Sequence, residues 1–71
     1  MTKYHNLHLP LTSREQEVYE FIIKGNTTKN IAEKLAVGFE TIKTHRKNIY
    51  RKLKVKTGIE LISVHHQKLI S

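Results

Sequence analysis

The stretch over residues 40–53, with the sequence ETIKTHRKNIYRKL, holds the side chains best suited to contact another molecule. At a helical rotation of about 100° per residue, one side of this stretch carries long basic side chains separated by short hydrogen-bonding ones. The residues on this side are Glu40, Lys43, Thr44, Lys47, Asn48 and Arg51. This combination is typical of a helix that lies in a nucleic-acid groove. The pattern therefore predicts a structured, anionic ligand.

The other side of the same stretch is apolar. Ile42, Ile49 and Leu53 fall on one narrow stripe, and His45 and Tyr50 lie at its edges. An apolar stripe of this period packs against a core when the segment is helical. The chemistry of the basic side therefore depends on an amphipathic helix that other elements hold in place.

Charge is concentrated around this helix. The 71 residues include 13 Lys and Arg against six Asp and Glu, which gives a net charge of +7 with the histidines neutral. No acidic residue lies between Glu40 and Glu60, and more than half of the positive charge does. Solvated helix faces usually mix both signs, so a run of one sign favours a polyanionic partner.

Composition excludes several other classes of protein. The length suits one small domain, and there is no Cys for a disulfide or a Cys-based metal site. No apolar run approaches the roughly 18 residues of a membrane span, and the N-terminus lacks the apolar core of a signal peptide. A membrane-bound basic helix needs bulky apolar groups on its exposed face, which this helix lacks. We therefore expect a cytoplasmic protein without a membrane partner.

The sequence also lacks the residue combinations that are usual in enzyme active sites. The sequence offers no Ser/His/Asp or Cys/His set, no glycine-rich phosphate loop and no convincing pair of catalytic carboxylates. His5 and His8 have no acidic or Cys partners nearby, so we interpret them as surface residues. We expect no catalytic, cofactor-binding or metal-binding residue and no small-molecule ligand in this segment.

Helix signals divide the chain into an arm and a folded part. Residues 1–10 show no sustained period and are interpreted as a flexible arm, and residues 11–71 as one domain. Thr12 and Glu15 have the spacing of a capping box, which predicts a first helix over about 13–24. Gly25 then supplies a helix stop.

The next two helices are separated by a short turn. Thr27 and Thr28 are candidate caps for a second helix that runs to about Ala36. A connector with Gly38 follows, and the basic helix begins near residue 39 or 40. Helix, short turn and helix form a helix-turn-helix arrangement.

The last helix has two apolar stripes. Thr57 and Glu60 repeat the capping-box spacing and predict a helix that reaches about Leu69. One stripe contains Leu61, Val64 and His65, and the other contains Ile59, Ile62, His66 and Ile70. One must pack on the other helices, and periodicity does not tell which. We assign the second stripe to a symmetric dimer interface; the alternative is a helix that wraps its own domain.

Four separated blocks of sequence together resemble the LuxR-type helix-turn-helix DNA-binding domain. The blocks are LTSREQEV at 11–18, GNTTKNIAEKL at 25–35, TIKTH at 41–45 with Ile49, Lys52 and Leu53, and Val55 with Glu60 and Leu61. The resemblance covers about residues 11–64. It implies an all-α, four-helix domain whose third helix, the recognition helix, enters the major groove of DNA. In several members the fourth helix makes the dimer contact.

The resemblance also assigns roles by position. Lys43, Thr44 and Lys47 match sites that face base edges. Glu40 departs from the family pattern, in which smaller or basic residues are common, and is expected either to accept from a cytosine amino group or simply to exclude some sequences. Sites near the DNA phosphates are matched by Thr27, Thr28, Lys29, Thr41 and Arg51. Arg46 lies toward the core side of the helix, so its charged end is expected to reach out to a phosphate.

The function expected from these features is sequence-specific binding of double-stranded DNA by a bacterial transcriptional regulator, or by the output domain of one. The protein would act as a homodimer, with RNA polymerase as a further partner. The alternative is a protein-interaction module of the same fold that binds an acidic protein partner. RNA binding is disfavoured because Tyr50 is the only aromatic residue on the basic helix and lies at its core edge.

Overall fold

A computed structural model of the chain describes residues 10–70, with side chains described as far as Gln67. The chain folds into four helices: α1 (Ser13–Ile23), α2 (Thr28–Leu35), α3 (Phe39–Leu53) and α4 (Gly58–Ile70). The described part contains no β-strand. The expected all-α, four-helix fold is therefore confirmed. The first nine residues of the predicted arm lie outside the described residues.

The predicted capping box starts α1. The Thr12 hydroxyl accepts a hydrogen bond from the Glu15 N–H (3.1 Å), and the Glu15 carboxylate accepts one from the Thr12 N–H (3.0 Å). The helix ends at Ile23, one residue before the predicted end, and Lys24 is its C-cap. Gly25 follows with a φ of +92°, a conformation that glycine adopts without steric cost.

The turn of the helix-turn-helix unit begins at Ala36, whose backbone is in the left-handed conformation. Thr27 caps α2 by accepting from the Asn30 N–H (3.1 Å), and α2 ends at Leu35 because Ala36 has φ 56° and ψ 43°. Gly38 is the N-cap of α3 and makes no side-chain cap hydrogen bond. The orphan N–H groups of the first turn of α3 therefore lack the side-chain acceptor that Thr12 and Thr27 give the first two helices.

The core brings α1, α2 and α4 onto the apolar side of α3. The α3 helix packs against each of the other three, and α4 also packs against α1. Ile42 and Ile49 of α3 are fully buried. They are surrounded by Val18, Ile22, Ile31, Ala32, Val55 and Leu61. Because α3 is held through this side, its opposite side is left to solvent.

The start of α4 forms only half of the predicted capping box. The Thr57 hydroxyl accepts from the Glu60 N–H (3.0 Å), as expected. The Glu60 carboxylate accepts from the N–H of Lys56 (2.8 Å), not from that of the cap residue Thr57. The reciprocal bond therefore falls one residue earlier than predicted, in the connector between α3 and α4.

The structure also decides which stripe of α4 packs inward. Leu61 is 1% exposed, and the Tyr19 hydroxyl lies 2.8 Å from Nδ1 of the half-buried His65. Val64, predicted on the same stripe, is 43% exposed and lies at its edge. Ile59 is 82% and Ile62 37% exposed. The outward stripe is therefore the one assigned to a dimer; its His66 is exposed and the Ile70 side chain lies outside the described side chains.

A nearly buried ion pair ties α3 to the start of α1. Nζ of Lys52 lies 2.6 Å from Oε1 of Glu15, with side-chain exposures of 14% and 6%. The same Nζ donates to the carbonyl of Pro10 (3.3 Å). Burial acts to raise the pKa of Glu15, but the hydrogen bonds from Lys52 and Thr12 outweigh it and the pKa is lowered. Glu15 thus serves both the cap of α1 and the packing of α3.

Within residues 10–70, none of the helices has the length and apolar character that crossing a bilayer requires.

Candidate nucleic-acid interface

The solvent side of α3 presents the predicted contact residues together. Ile42 and Ile49 are 0% exposed, so the residues half a turn away from them must face solvent. All the predicted base-contacting side chains are exposed, together with two predicted phosphate contacts of the same helix. These residues are Glu40, Thr41, Lys43, Thr44, Lys47 and Arg51. Asn48, which the sequence placed on this side, is half-buried at its edge.

The start of α2 lies beside this surface. Thr27 and Lys29 are exposed and Thr28 is half-buried. Thr28 lines an open concavity of about 280 Å³ together with four residues of α3, which are Lys43, Arg46, Lys47 and Tyr50. The start of α2 therefore meets the basic residues of α3 at Thr28, as a surface that contacts phosphates beside a groove requires.

Two predicted base contacts interact with each other. Nζ of Lys43 lies 3.7 Å from Oε1 of Glu40, and it also lies 5.9 Å from the centre of the exposed Phe39 ring. An exposed pair of this kind contributes little to stability because water screens it. It does place the Lys43 ammonium toward the N-terminal end of α3. The i,i+3 spacing of Glu40 and Lys43 is the sequence signal that would have predicted the pairing.

Arg46 is held by its own helix. Nε and Nη2 of Arg46 donate to the Tyr50 hydroxyl at 3.0 and 2.7 Å. The guanidinium carbon lies 5.7 Å from the centre of the Tyr50 ring. Arg46 is half-buried and lines the concavity, so its charged end does reach out from the core side of α3. The sequence interpretation did not foresee that Tyr50 would orient it.

His45 lies at the edge of the apolar stripe of α3, as the sequence indicates, and its ring is half-buried. It also contributes, behind the larger effects of Lys52 and Thr12, to lowering the pKa of Glu15.

Comparison with known families agrees with this geometry. Residues 9–65 match the family model described as "Bacterial regulatory proteins, luxR family". The match spans all of α1 to α3 and the first half of α4. It confirms the resemblance on which the contact residues were assigned.

Individual relatives are regulators of greater length. The chain is 50% identical over 52 residues to the "Uncharacterized response regulatory protein YgeK" of Escherichia coli, which covers 73% of this chain and 35% of that protein. It is 43% identical over 53 residues to the "Transcriptional regulatory protein MctR" of Rhizobium johnstonii (75% and 25%). It is 41% identical over 59 residues to the "Transcriptional regulatory protein DesR" of Bacillus subtilis (83% and 30%). The chain thus spans about a third or less of the length of these curated relatives.

Proposed function

The chain belongs to the luxR family of bacterial regulatory proteins, and from this membership we propose that it binds double-stranded DNA sequence-specifically as a transcriptional regulator or as the output domain of one. The family is one of DNA-binding regulators, not of enzymes. The observation that carries the proposal is the exposed side of α3, where Lys43, Thr44 and Lys47 lie opposite the fully buried Ile42 and Ile49.

In this proposal α3 is the recognition helix and lies in the major groove. Lys43 and Lys47 donate to guanine O6 and N7, the acceptors that lysine meets most often there. Thr44 contacts either a base acceptor or a thymine methyl, and Glu40 accepts from a cytosine amino group. Each good base contact contributes about 1–3 kcal/mol of discrimination against the wrong base.

Phosphate contacts supply most of the affinity and fix the orientation of the domain. They are assigned to residues on both sides of the helix-turn-helix turn. These residues are Thr27, Thr28, Lys29, Thr41, Arg46 and Arg51. Their placement around the base-contacting side of α3 supports this division, because phosphates flank the groove on both edges.

A homodimer completes the proposal. The stripe of Ile59, Ile62 and His66 is exposed on a helix that has already buried Leu61, and Ile70 extends it in sequence. In a symmetric dimer this stripe packs against the same stripe of a second copy. A two-fold dimer reads two half-sites about one helical turn apart. RNA polymerase is the further partner in this proposal, and the cytoplasm is where the polymerase and the DNA both occur.

Selection of tight-binding duplexes from a random DNA library tests this function. We expect enrichment of a two-part motif whose halves have inverted symmetry. Recovery of duplexes without any common sequence would contradict sequence specificity. A folded protein that retains no duplex at low salt would contradict DNA binding and favour an acidic protein as the ligand of the basic surface.

A further inference from the structure

We propose that Tyr50 and Gly58 are positioning residues that hold the Arg46 guanidinium in the concavity beside α2, where it binds one phosphate of the DNA backbone. This inference rests on the proposed DNA binding and adds to it two residues that do not themselves touch DNA. It begins from the cluster of Arg46, Tyr50 and Gly58, which joins the recognition helix to the first residue of α4.

The hydrogen bonds to Tyr50 leave the phosphate-binding edge of Arg46 free. A guanidinium has five N–H donors in one plane, and the Tyr50 hydroxyl accepts from Nε and from Nη2. The outer edge, formed by Nη1 and the second N–H of Nη2, keeps two parallel donors. Two parallel N–H groups are the arrangement that binds a phosphate in bidentate fashion. Tyr50 therefore orients Arg46 without occupying the edge that binds.

The surroundings of Arg46 fit an anion. The concavity of about 280 Å³ is also lined by the ammonium-bearing side chains of Lys43 and Lys47 and by Thr28, which carries a hydroxyl. Lys43, Arg46 and Lys47 all carry positive charge, so an anion in this concavity is attracted by each of them. Glu40 pairs with Lys43 at 3.7 Å, and among the described residues no acidic side chain is part of the lining. A phosphodiester carries the single negative charge that this position attracts.

Gly58 provides the space for this arrangement. A Cβ atom at Gly58 would lie 2.9 Å from Nη2 of Arg46 and 3.3 Å from the Tyr50 hydroxyl. The φ of Gly58 lies outside the left-handed region, so the backbone does not demand glycine here. The absence of a side chain is what allows the Arg46 and Tyr50 pair to lie against the start of α4.

Four variants test the inference by duplex binding: Tyr50→Phe, Gly58→Ala, Arg46→Gln and the double variant Tyr50→Phe with Arg46→Gln. We expect Tyr50→Phe and Gly58→Ala each to weaken binding about 3- to 10-fold, equally on a selected and a random duplex, because a phosphate carries no sequence information. Arg46→Gln should lower the salt slope by about 0.9. Tyr50→Phe should keep the slope and add no loss when Arg46 is already Gln.

Tyr19→Phe is the matched control, since it removes a hydroxyl that is hydrogen-bonded to His65, and neither residue lines the concavity. We expect it to leave DNA affinity unchanged. Wild-type affinity in both Tyr50→Phe and Gly58→Ala would overturn the inference, and so would additive losses in the double variant. If Gly58→Ala does not fold, Tyr50→Phe and the double variant decide alone. Failure of the wild-type protein to bind any duplex would instead contradict the proposed function, and the inference with it.

Discussion

Lys47 is the residue of α3 that best tests whether a side chain contributes to discrimination between sequences or only to general affinity. Its side chain is exposed and points away from the buried Ile49. We expect Lys47→Ala to weaken binding to a selected site more than to random DNA, by a difference of about 1–3 kcal/mol, because a base contact is lost. Fluorescence anisotropy with both duplexes measures this difference.

Lys24→Ala is the control for charge alone. Lys24 lies at the end of α1 and lines grooves with Glu17 and Glu20 that contain no residue of α3. The Lys24→Ala variant should weaken binding to both duplexes slightly and equally, because it removes only one positive charge. Equal losses for Lys47→Ala on both duplexes would make Lys47 a phosphate contact and remove it from base recognition.

The ion pair of Glu15 and Lys52 links the stability of the fold to pH in the acidic range. The pKa of Glu15 is lowered in the folded state, because the hydrogen bonds from Lys52 and Thr12 outweigh the opposing effect of burial. A carboxyl with a lowered pKa contributes stability above its unfolded value of 4.5, and this contribution is lost as the pH falls through the folded pKa. Urea unfolding should therefore show falling stability below about pH 4.5.

Removing only Lys52 from the ion pair should destabilise the domain more than replacing both Lys52 and Glu15. We expect Lys52→Met to destabilise the domain by about 3 kcal/mol at pH 7, because it leaves the Glu15 carboxylate buried without a cation. The double variant Glu15→Gln with Lys52→Met should recover part of this loss. It should also lose most of the pH dependence below 4.5. A double variant no more stable than Lys52→Met would contradict this role of the pair.

At the scale of helices, α3 begins with the weakest cap of the first three. Gly38 has the extended backbone of an N-cap, with φ −72° and ψ 153°, but no side-chain acceptor. We expect Gly38→Ser to stabilise the domain by a few tenths of a kcal/mol, because its hydroxyl can accept from the Thr41 N–H. Gly38→Ala is the opposing control and should destabilise it, since alanine is a poor N-cap. Thermal unfolding measures both, and changes of the same sign would contradict the cap explanation.

Local sequence signals predicted the helices well because the interactions that start and stop them are local. The Thr12 and Glu15 box, the Thr27 cap and the Gly25 stop all act within one helical turn. The prediction for the second half of the capping box at Thr57 was wrong because that hydrogen bond depends on the conformation of the connector before the helix, which the local spacing does not determine. The conformation of the connector placed the N–H of Lys56, not that of Thr57, near the Glu60 carboxylate.

Contacts between distant residues could not be read from the sequence. Glu15 and Lys52 are 37 positions apart, and nothing in either local pattern indicates the other. Both stripes of α4 fit the helical period equally well. The burial of Leu61 and the Tyr19–His65 contact show which of the two packs inward. The hydrogen bond between Arg46 and Tyr50 has a regular i,i+4 spacing, but the space that this pair occupies depends on Gly58 of another helix, which the spacing does not indicate.

At the scale of the whole molecule, the proposed dimer depends on the outward side of α4. Ile59 is 82% exposed, so a charge there does not disturb the core of the monomer. We expect Ile59→Glu to give a folded monomer, and Ile62→Glu to do the same with some loss of stability. Sedimentation and circular dichroism measure mass and fold together.

Leu61→Glu serves as the contrasting variant. Leu61 is 1% exposed, and burying an unpaired carboxylate in its place should unfold the domain. A wild-type protein that stays monomeric at high concentration would contradict pairing of this chain through α4. So would an Ile59→Glu variant that remains dimeric.

The whole molecule also carries the most direct test, because its net charge of +7 is concentrated around α3. Binding of the unmodified chain should be measured by fluorescence anisotropy on a selected duplex and on a scrambled one over a range of salt. With Z phosphates neutralised, the logarithm of the affinity should fall with the logarithm of salt at a slope near −0.9Z on both duplexes. The selected duplex should stay tighter throughout. Equal affinity for both would contradict sequence-specific recognition by α3, and salt-independent or absent binding would contradict DNA as the ligand.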